Sequence, residues 1–182
     1  MKKVFLSEFI KESKTVGAIT PSSKFLMKKM LSKIDFSKNV FLIELGPGTG
    51  VFTTEILSRM TENSKLLSFE INPIFHNQLK SKFKDKRLTL ICDSAENVKK
   101  YIPNEVKTVD GVISSLPLAV IPIRVKLRIL NSMIEVLASN SYFIQFQYSM
   151  NAKKILQSRF KDLEIDFTPL NIPPAFIYYC RN

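Results

Sequence analysis

The chain has 182 residues, 45% of them apolar, and a formal net charge of +11. That length supports one well-buried domain and not two comfortable ones, and no run of about 18 consecutive apolar residues marks a membrane span. A single histidine and two distant cysteines with no CxxC argue against a zinc site, and no metal is expected. The charge predicts an anionic partner, either nucleic acid or an anionic membrane surface, with lysine-rich coding as the plain alternative.

The chain opens "MKKVFLSEFIKESK", where the apolar stretch Val4–Leu6 is too short for a cleaved secretory signal. Over 2–13, Val4, Phe5, Phe9 and Ile10 share one helical face, ringed by Lys2, Lys3, Lys11 and Lys14. This is the pattern of a basic amphipathic helix, which either lies on a membrane surface or packs on the domain. After "TVGAITP" a second helix is expected over 22–33, capped by Ser22 or Ser23. From residue 38 onward the strand-like runs are "NVFLIEL", "KLLSFEI", "RLTLIC", "TVDGVISSL", "SYFIQFQY", "LEIDFTPL" and "PAFIYYC". Helical patterns at roughly 50–61, 73–84, 94–101 and 121–138 separate the first five, which predicts an α/β fold, a parallel sheet with helices on both faces. Only "NIPP" separates the last two runs, too little for a helical crossover, so they should form an antiparallel pair. A single domain is expected over 1–182, with 1–35 a helical, basic extension and 36–182 the core. Cys92 and Cys180 lie in apolar runs and are expected as buried thiols of a reducing, cytoplasmic compartment.

The first strand-like run ends in "ELGPGTG", with Gly46, Gly48 and Gly50 spaced G-x-G-x-G. The dinucleotide fingerprint requires G-x-G-x-x-G, and Val51 occupies its third glycine position. Glu44 is a poor neighbour for pyrophosphate and a good one for a cation. Glu70 ends the second run about 20 residues past the glycines, where a carboxylate can accept both ribose hydroxyls. Asp93 ends the third run, in position to meet an adenine amino group. A ligand with a sulfonium, a ribose and an adenine satisfies all of these features, which points to S-adenosylmethionine.

Residues 39–182 resemble the class I methyltransferases. The resemblance implies a Rossmann-like seven-stranded sheet of order 3-2-1-4-5-7-6, with strand 7 antiparallel. It also implies that Gly46, Gly48 and Gly50 line the methionine part of the cofactor, Glu70 holds the ribose, and Asp93 with Ser94 holds the adenine. Glu44, Ile71 and Ser114 are the remaining candidates for cofactor contact.

The acceptor is read from "GVISSLPLAVIP". Nucleic-acid adenine methyltransferases carry Asn or Asp, then Pro or Leu-Pro, then an aromatic that stacks on the flipped base. Here Leu116-Pro117 is kept, but Ser115 stands at the Asn position and Leu118 at the aromatic one. No counterpart of the basic C-terminal helical domain of ribosomal-RNA adenine dimethyltransferases is expected after the hairpin. Across "KTVGAITPSSKFL", "ELGPGTGVFT", "FEINPIF", "CDSAEN", "ISSLPL", "FIQFQYS" and "NIPPAFIYYCR", the chain is similar to the short bacterial phospholipid N-methyltransferases. That resemblance implies methylation of the amine of phosphatidylethanolamine, and of its methylated derivatives, by a peripheral enzyme on the inner face of the membrane. The alternative is an RNA adenine-N6 methyltransferase. Ser114, Ser115 and Tyr148 are the catalytic candidates, as polar groups or, for Tyr148, as a ring facing a cationic nitrogen. Arg124, Lys126 and Arg128 either meet the lipid phosphate or form a solvated helix face.

Overall fold

The computed structural model describes residues 23–182. The amphipathic pattern at 2–13, the "TVGAITP" link and Ser22 lie outside the described residues. The first described helix, α1 (Lys24–Met30), is capped by Ser23, whose side chain accepts from the Leu26 N–H. It is pinned at both ends: the Ser23 N–H donates to Asn171 Oδ1 at 2.9 Å, and the Tyr179 hydroxyl donates to the Lys29 carbonyl at 2.8 Å. Leu26, Met30 and Leu31 are buried, so residues 23–35 are integral to the core.

The rest alternates as the apolar periods predict. The elements are β1 (Phe41–Leu45), α2 (Val51–Arg59), β2 (Lys65–Phe69), α3 (Pro73–Lys82), β3 (Leu88–Ile91), β4 (Val109–Ser114), α4 (Ile123–Val136), β5 (Leu137–Gln147), α5 (Lys153–Gln157), β6 (Asp162–Thr168) and β7 (Ala175–Arg181). The helix expected at 94–101 is a tighter 3-10 turn, Ala95–Lys100, capped by Ser94. The short α5 has no counterpart in the sequence reading; its five residues are fewer than the window in which a helical period can be recognised.

All seven strands form one sheet of order β3-β2-β1-β4-β5-β7-β6. The first five pair in parallel, and β7 runs antiparallel to both β5 and β6. Side chains alternate between two buried faces. Leu42, Ile113, Ile144 and Tyr179 point to the face covered by α1 and α2. Ile43, Val112, Phe143 and Tyr178 point to the other, covered by α4 and the 3-10 turn. No described helix is long and apolar enough to cross a membrane.

One expectation is overturned. Cys180 is buried, but Cys92 is exposed. β3 ends at Ile91 and is an edge strand, so the residue after it has no sheet neighbour to cover it.

Candidate active site

The strand order reverses direction between β1 and β4, which opens a crevice at their carboxyl ends. The glycine turn begins there, tied on one side by the Gly46 N–H to the Phe69 carbonyl at 2.9 Å. On the other side the Ser115 N–H donates to the Leu45 carbonyl at 2.9 Å. All three glycines of the turn have positive φ. At Gly50 a Cβ would lie 2.6 Å from the Phe83 ring and 2.8 Å from Leu79, whereas at Gly48 it would meet nothing within 4 Å. Gly50 is therefore required by helix packing, and Gly48 keeps open a space beside the turn.

Glu70 is almost fully buried. Its Oε2 accepts from the Gly48 N–H at 3.2 Å, and its Oε1 accepts from the Asn72 N–H at 2.9 Å. Burial raises its pKa, against the pull of those two donors. Glu44 is wholly buried on the α2 face. Its Oε2 accepts from the Thr53 and Ser68 hydroxyls at 2.8 and 2.7 Å, while its Oε1 has no hydrogen-bond partner among the described residues. Its pKa is pushed up to about 7, first by burial, with the two hydroxyls pulling down and Glu70 adding a further push. A buried carboxylate oxygen left without a donor is costly, and a cation nearby would relieve that cost.

Asp93 sits at the start of the 3-10 turn. It accepts from the Ser94 N–H at 2.7 Å, from Asn97 Nδ2 at 3.0 Å and from the Tyr101 hydroxyl at 2.9 Å. Burial pushes its pKa up, but these donors outweigh it and hold the carboxyl below its usual range. Ser94 caps the turn through its side chain, and Ile71 is exposed next to Glu70. The strand ends thus bring the glycine turn, Glu44, Glu70 and Asp93 to one edge of the sheet. The open space at Gly48, the unpartnered oxygen of Glu44 and the buried acceptor of Glu70 fit a ligand that carries a positive charge and hydroxyls.

On the acceptor side, Ser114 is buried, and its Oγ accepts a long contact from the Leu116 N–H at 3.4 Å. Ser115 is half-buried. Leu118 is only 1% exposed and belongs to the core, so the position at which a base-stacking aromatic would stand points inward. Sequence reasoning missed Gln145 and Gln147. Both amides donate to the Leu116 carbonyl, at 3.0 and 2.8 Å, and fasten the loop after β4 to β5. Their spacing of two residues along a strand was the available signal, because it puts both on one face. Tyr148 is exposed, meets Phe146 edge-on at 5.6 Å, and has Asn171 against its hydroxyl. Of the three cations after β4, Arg128 is ion-paired with Glu96.

The sequence model of the ribosomal RNA adenine dimethylase family matches residues 21–108, just under half of the chain. An ornithine lipid N-methyltransferase of Singulisphaera acidiphila is 24% identical over 98% of this chain and 94% of its own length. A ribosomal RNA small subunit methyltransferase A of Sulfurihydrogenibium is 40% identical, over 41% of this chain and 28% of its own. Among solved structures, precorrin-6y C5,15-methyltransferase of Geobacter metallireducens superposes with a TM-score of 0.71 at 14% identity, covering 88% of this chain and 90% of that one.

Sheet order, site and likenesses together define a class I methyltransferase of Rossmann-like fold. The chain is an S-adenosylmethionine-dependent methyltransferase, and S-adenosylmethionine is its cofactor.

Proposed function

We propose that this enzyme methylates the amine of a membrane lipid, phosphatidylethanolamine and its methylated derivatives first, at an anionic membrane surface. The observation that carries the reading is the extent of likeness. The lipid N-methyltransferase matches over 98% of this chain, whereas the ribosomal RNA adenine dimethylase model stops at residue 108. The inward-facing Leu118 supports it, since no aromatic side chain stands there to stack on an extruded base. On this reading residues 1–182 act as one catalytic unit, with 1–35 helping to dock it.

Bound S-adenosylmethionine supplies an electrophilic methyl group on a sulfonium. In our assignment Gly46, Gly48 and Gly50 let the backbone approach the methionine portion, Glu44 balances the positive charge, Glu70 accepts from the ribose, and Ile71, Asp93 and Ser94 border the adenine. An alkylammonium has a pKa of about 10 and must lose a proton before its lone pair can attack. Exclusion of water from the crevice by the seated lipid favours the neutral amine by desolvation, and Ser114 or Ser115 accepts from its remaining N–H to aim the lone pair. Tyr148 turns its ring toward the nitrogen as it becomes cationic.

The test offers labelled S-adenosylmethionine in parallel to phosphatidylethanolamine vesicles containing anionic lipid and to unmodified ribosomal RNA. Label is expected in the organic extract as methylated ethanolamine lipid. Label in the RNA alone would overturn the reading and favour the adenine-N6 reaction, which the match over residues 21–108 supports.

A further inference from the structure

Eleven large apolar side chains are exposed among the described residues, and their distribution is one-sided. All lie at the carboxyl end of the parallel strands or on elements joining the sheet there. The loops at the opposite end, 35–40, 60–64, 84–87 and 102–108, contribute none. Isolated exposed apolar residues are ordinary; a complete segregation to one edge is not.

Three segments carry six of the eleven. Val120 precedes α4 and Ile123 opens it, Tyr148 and Met150 follow β5, and Leu170 and Ile172 occupy the turn between β6 and β7. The β6–β7 turn is the clearest case. Leu170 is 58% and Ile172 72% exposed, yet Asn171 between them is only 3% exposed. The Asn171 side chain accepts from the Ser23 N–H and donates to the Pro173 carbonyl at 2.7 Å, so the turn is anchored while its two apolar neighbours project outward.

Charge divides this edge in two: the loops after β2 and β3 carry Glu70, Asp93 and Glu96, whereas residues 115–126 after β4 and 148–154 after β5 carry Arg124, Lys126, Lys153 and Lys154 with no carboxylate. The turn 169–174 is uncharged, while four loops at the opposite end each carry an acid, Asp35, Glu62, Asp85 and Glu105, and the α5–β6 link there carries Arg159 and Lys161. On the part of the edge formed by the loops after β4, β5 and β6, exposed apolar tips backed by lysine and arginine complement an anionic bilayer: the tips enter the acyl boundary and the cations meet the headgroups.

We infer that the carboxyl edge of the sheet is itself a membrane-docking surface, led by Leu170 and Ile172 and backed by Lys153 and Lys154. The occupant is an anionic phospholipid bilayer. Docked this way, the enzyme turns the crevice between β1 and β4 toward the lipid, and a headgroup amine enters without leaving the surface. This inference deepens the lipid-amine reading and rests on it, but it assigns docking to the carboxyl edge of the sheet as well as to the basic N-terminal segment.

The experiment is vesicle co-sedimentation of the full chain with phosphatidylcholine vesicles, with and without phosphatidylglycerol. Leu170→Asp/Ile172→Asp is expected to lower partitioning at least about tenfold, because two apolar side chains lose their place in the acyl boundary. Affinity for S-adenosylhomocysteine, unchanged in this variant, certifies the fold. Lys153→Glu/Lys154→Glu is expected to weaken binding to anionic vesicles more than Lys38→Glu/Lys107→Glu, which makes the same charge change at the opposite edge. Undiminished partitioning of the Asp variant, equal loss from both Glu pairs, or loss of RNA binding in place of vesicle binding would each overturn the docking surface. Methyl transfer by the wild-type chain to phosphatidylethanolamine in detergent micelles is measured alongside. Its failure with rim-dependent vesicle binding intact overturns the substrate and leaves the surface standing.

Discussion

The Gly48 N–H donates to Glu70 Oε2 at 3.2 Å, joining the glycine turn after β1 to the carboxylate that ends β2. The second oxygen of Glu70 accepts from the Asn72 N–H, so the carboxylate is oriented through both oxygens. With the acid held in this way, little ordering remains for a ligand hydroxyl to impose. Glu70→Gln keeps the shape and replaces one acceptor with a donor. We expect S-adenosylhomocysteine to bind about 10- to 100-fold more weakly in calorimetric titration, the loss of a charged hydrogen bond. The thermal midpoint should stay within a few degrees, since burial already disfavours the charge.

Gly48 and Gly50 separate binding from folding. Gly50→Ala drives a Cβ into the Phe83 ring and Leu79 at a φ of +80° and is expected to destabilise the fold by about 2–4 kcal/mol. Gly48→Ala meets no atom within 4 Å and is expected to cost only about 1–2 kcal/mol of left-handed strain, while filling the space beside the turn and weakening cofactor binding. Urea unfolding and calorimetric titration on both variants should give opposite rankings.

Glu44 makes stability depend on pH. Its folded pKa, about 7, lies above the unfolded value near 4.3, so between the two the folded chain holds a proton the unfolded chain has lost. Its contribution is therefore fully present below about pH 4 and is lost as pH rises to about 7, at most about 4 kcal/mol in all. Glu44→Gln should flatten the fall in unfolding free energy across that window. The same titration should make S-adenosylmethionine, with its sulfonium, bind more tightly as pH rises through about 7. S-adenosylhomocysteine, which lacks that charge, should gain less. Parallel pH profiles for the two ligands would place Glu44 away from the sulfur.

Tyr148 is exposed, with its ring edge-on to Phe146 and Asn171 at its hydroxyl. If the ring stabilises the developing cation, Tyr148→Phe should keep kcat within about threefold and Tyr148→Ala should lower it at least tenfold, roughly the value of a partly desolvated cation–π contact. Initial rates on micellar phosphatidylethanolamine distinguish the ring from the hydroxyl. A Phe variant as impaired as the Ala variant would assign the role to the hydroxyl.

The sequence by itself determined the alternation of strands and helices, the antiparallel final pair and the three acidic strand ends beside G-x-G-x-G. All of these are written in short-range spacing. Period two marks a strand, a link as short as four residues marks a hairpin, and a strand end is adjacent in sequence to the residue it presents. Ser115 and Leu118 could be read as departures from a base-binding pattern, but only the packed structure turns Leu118 into the core. Contacts across the sheet were likewise beyond the sequence. Thr53 and Ser68 reach Glu44 from two other elements, Gln145 and Gln147 reach back to Leu116, and Asn171 meets Ser23 from the far end of the chain. Cys92 stands in an apolar run, yet it is exposed because β3 ends before it at the sheet edge. The tertiary structure also decided that the large exposed apolar side chains among the described residues share one edge. Periodicity tells which side of a strand a residue faces. Which end of the sheet its loop joins depends on strand order and direction, and these exist only once distant segments have paired.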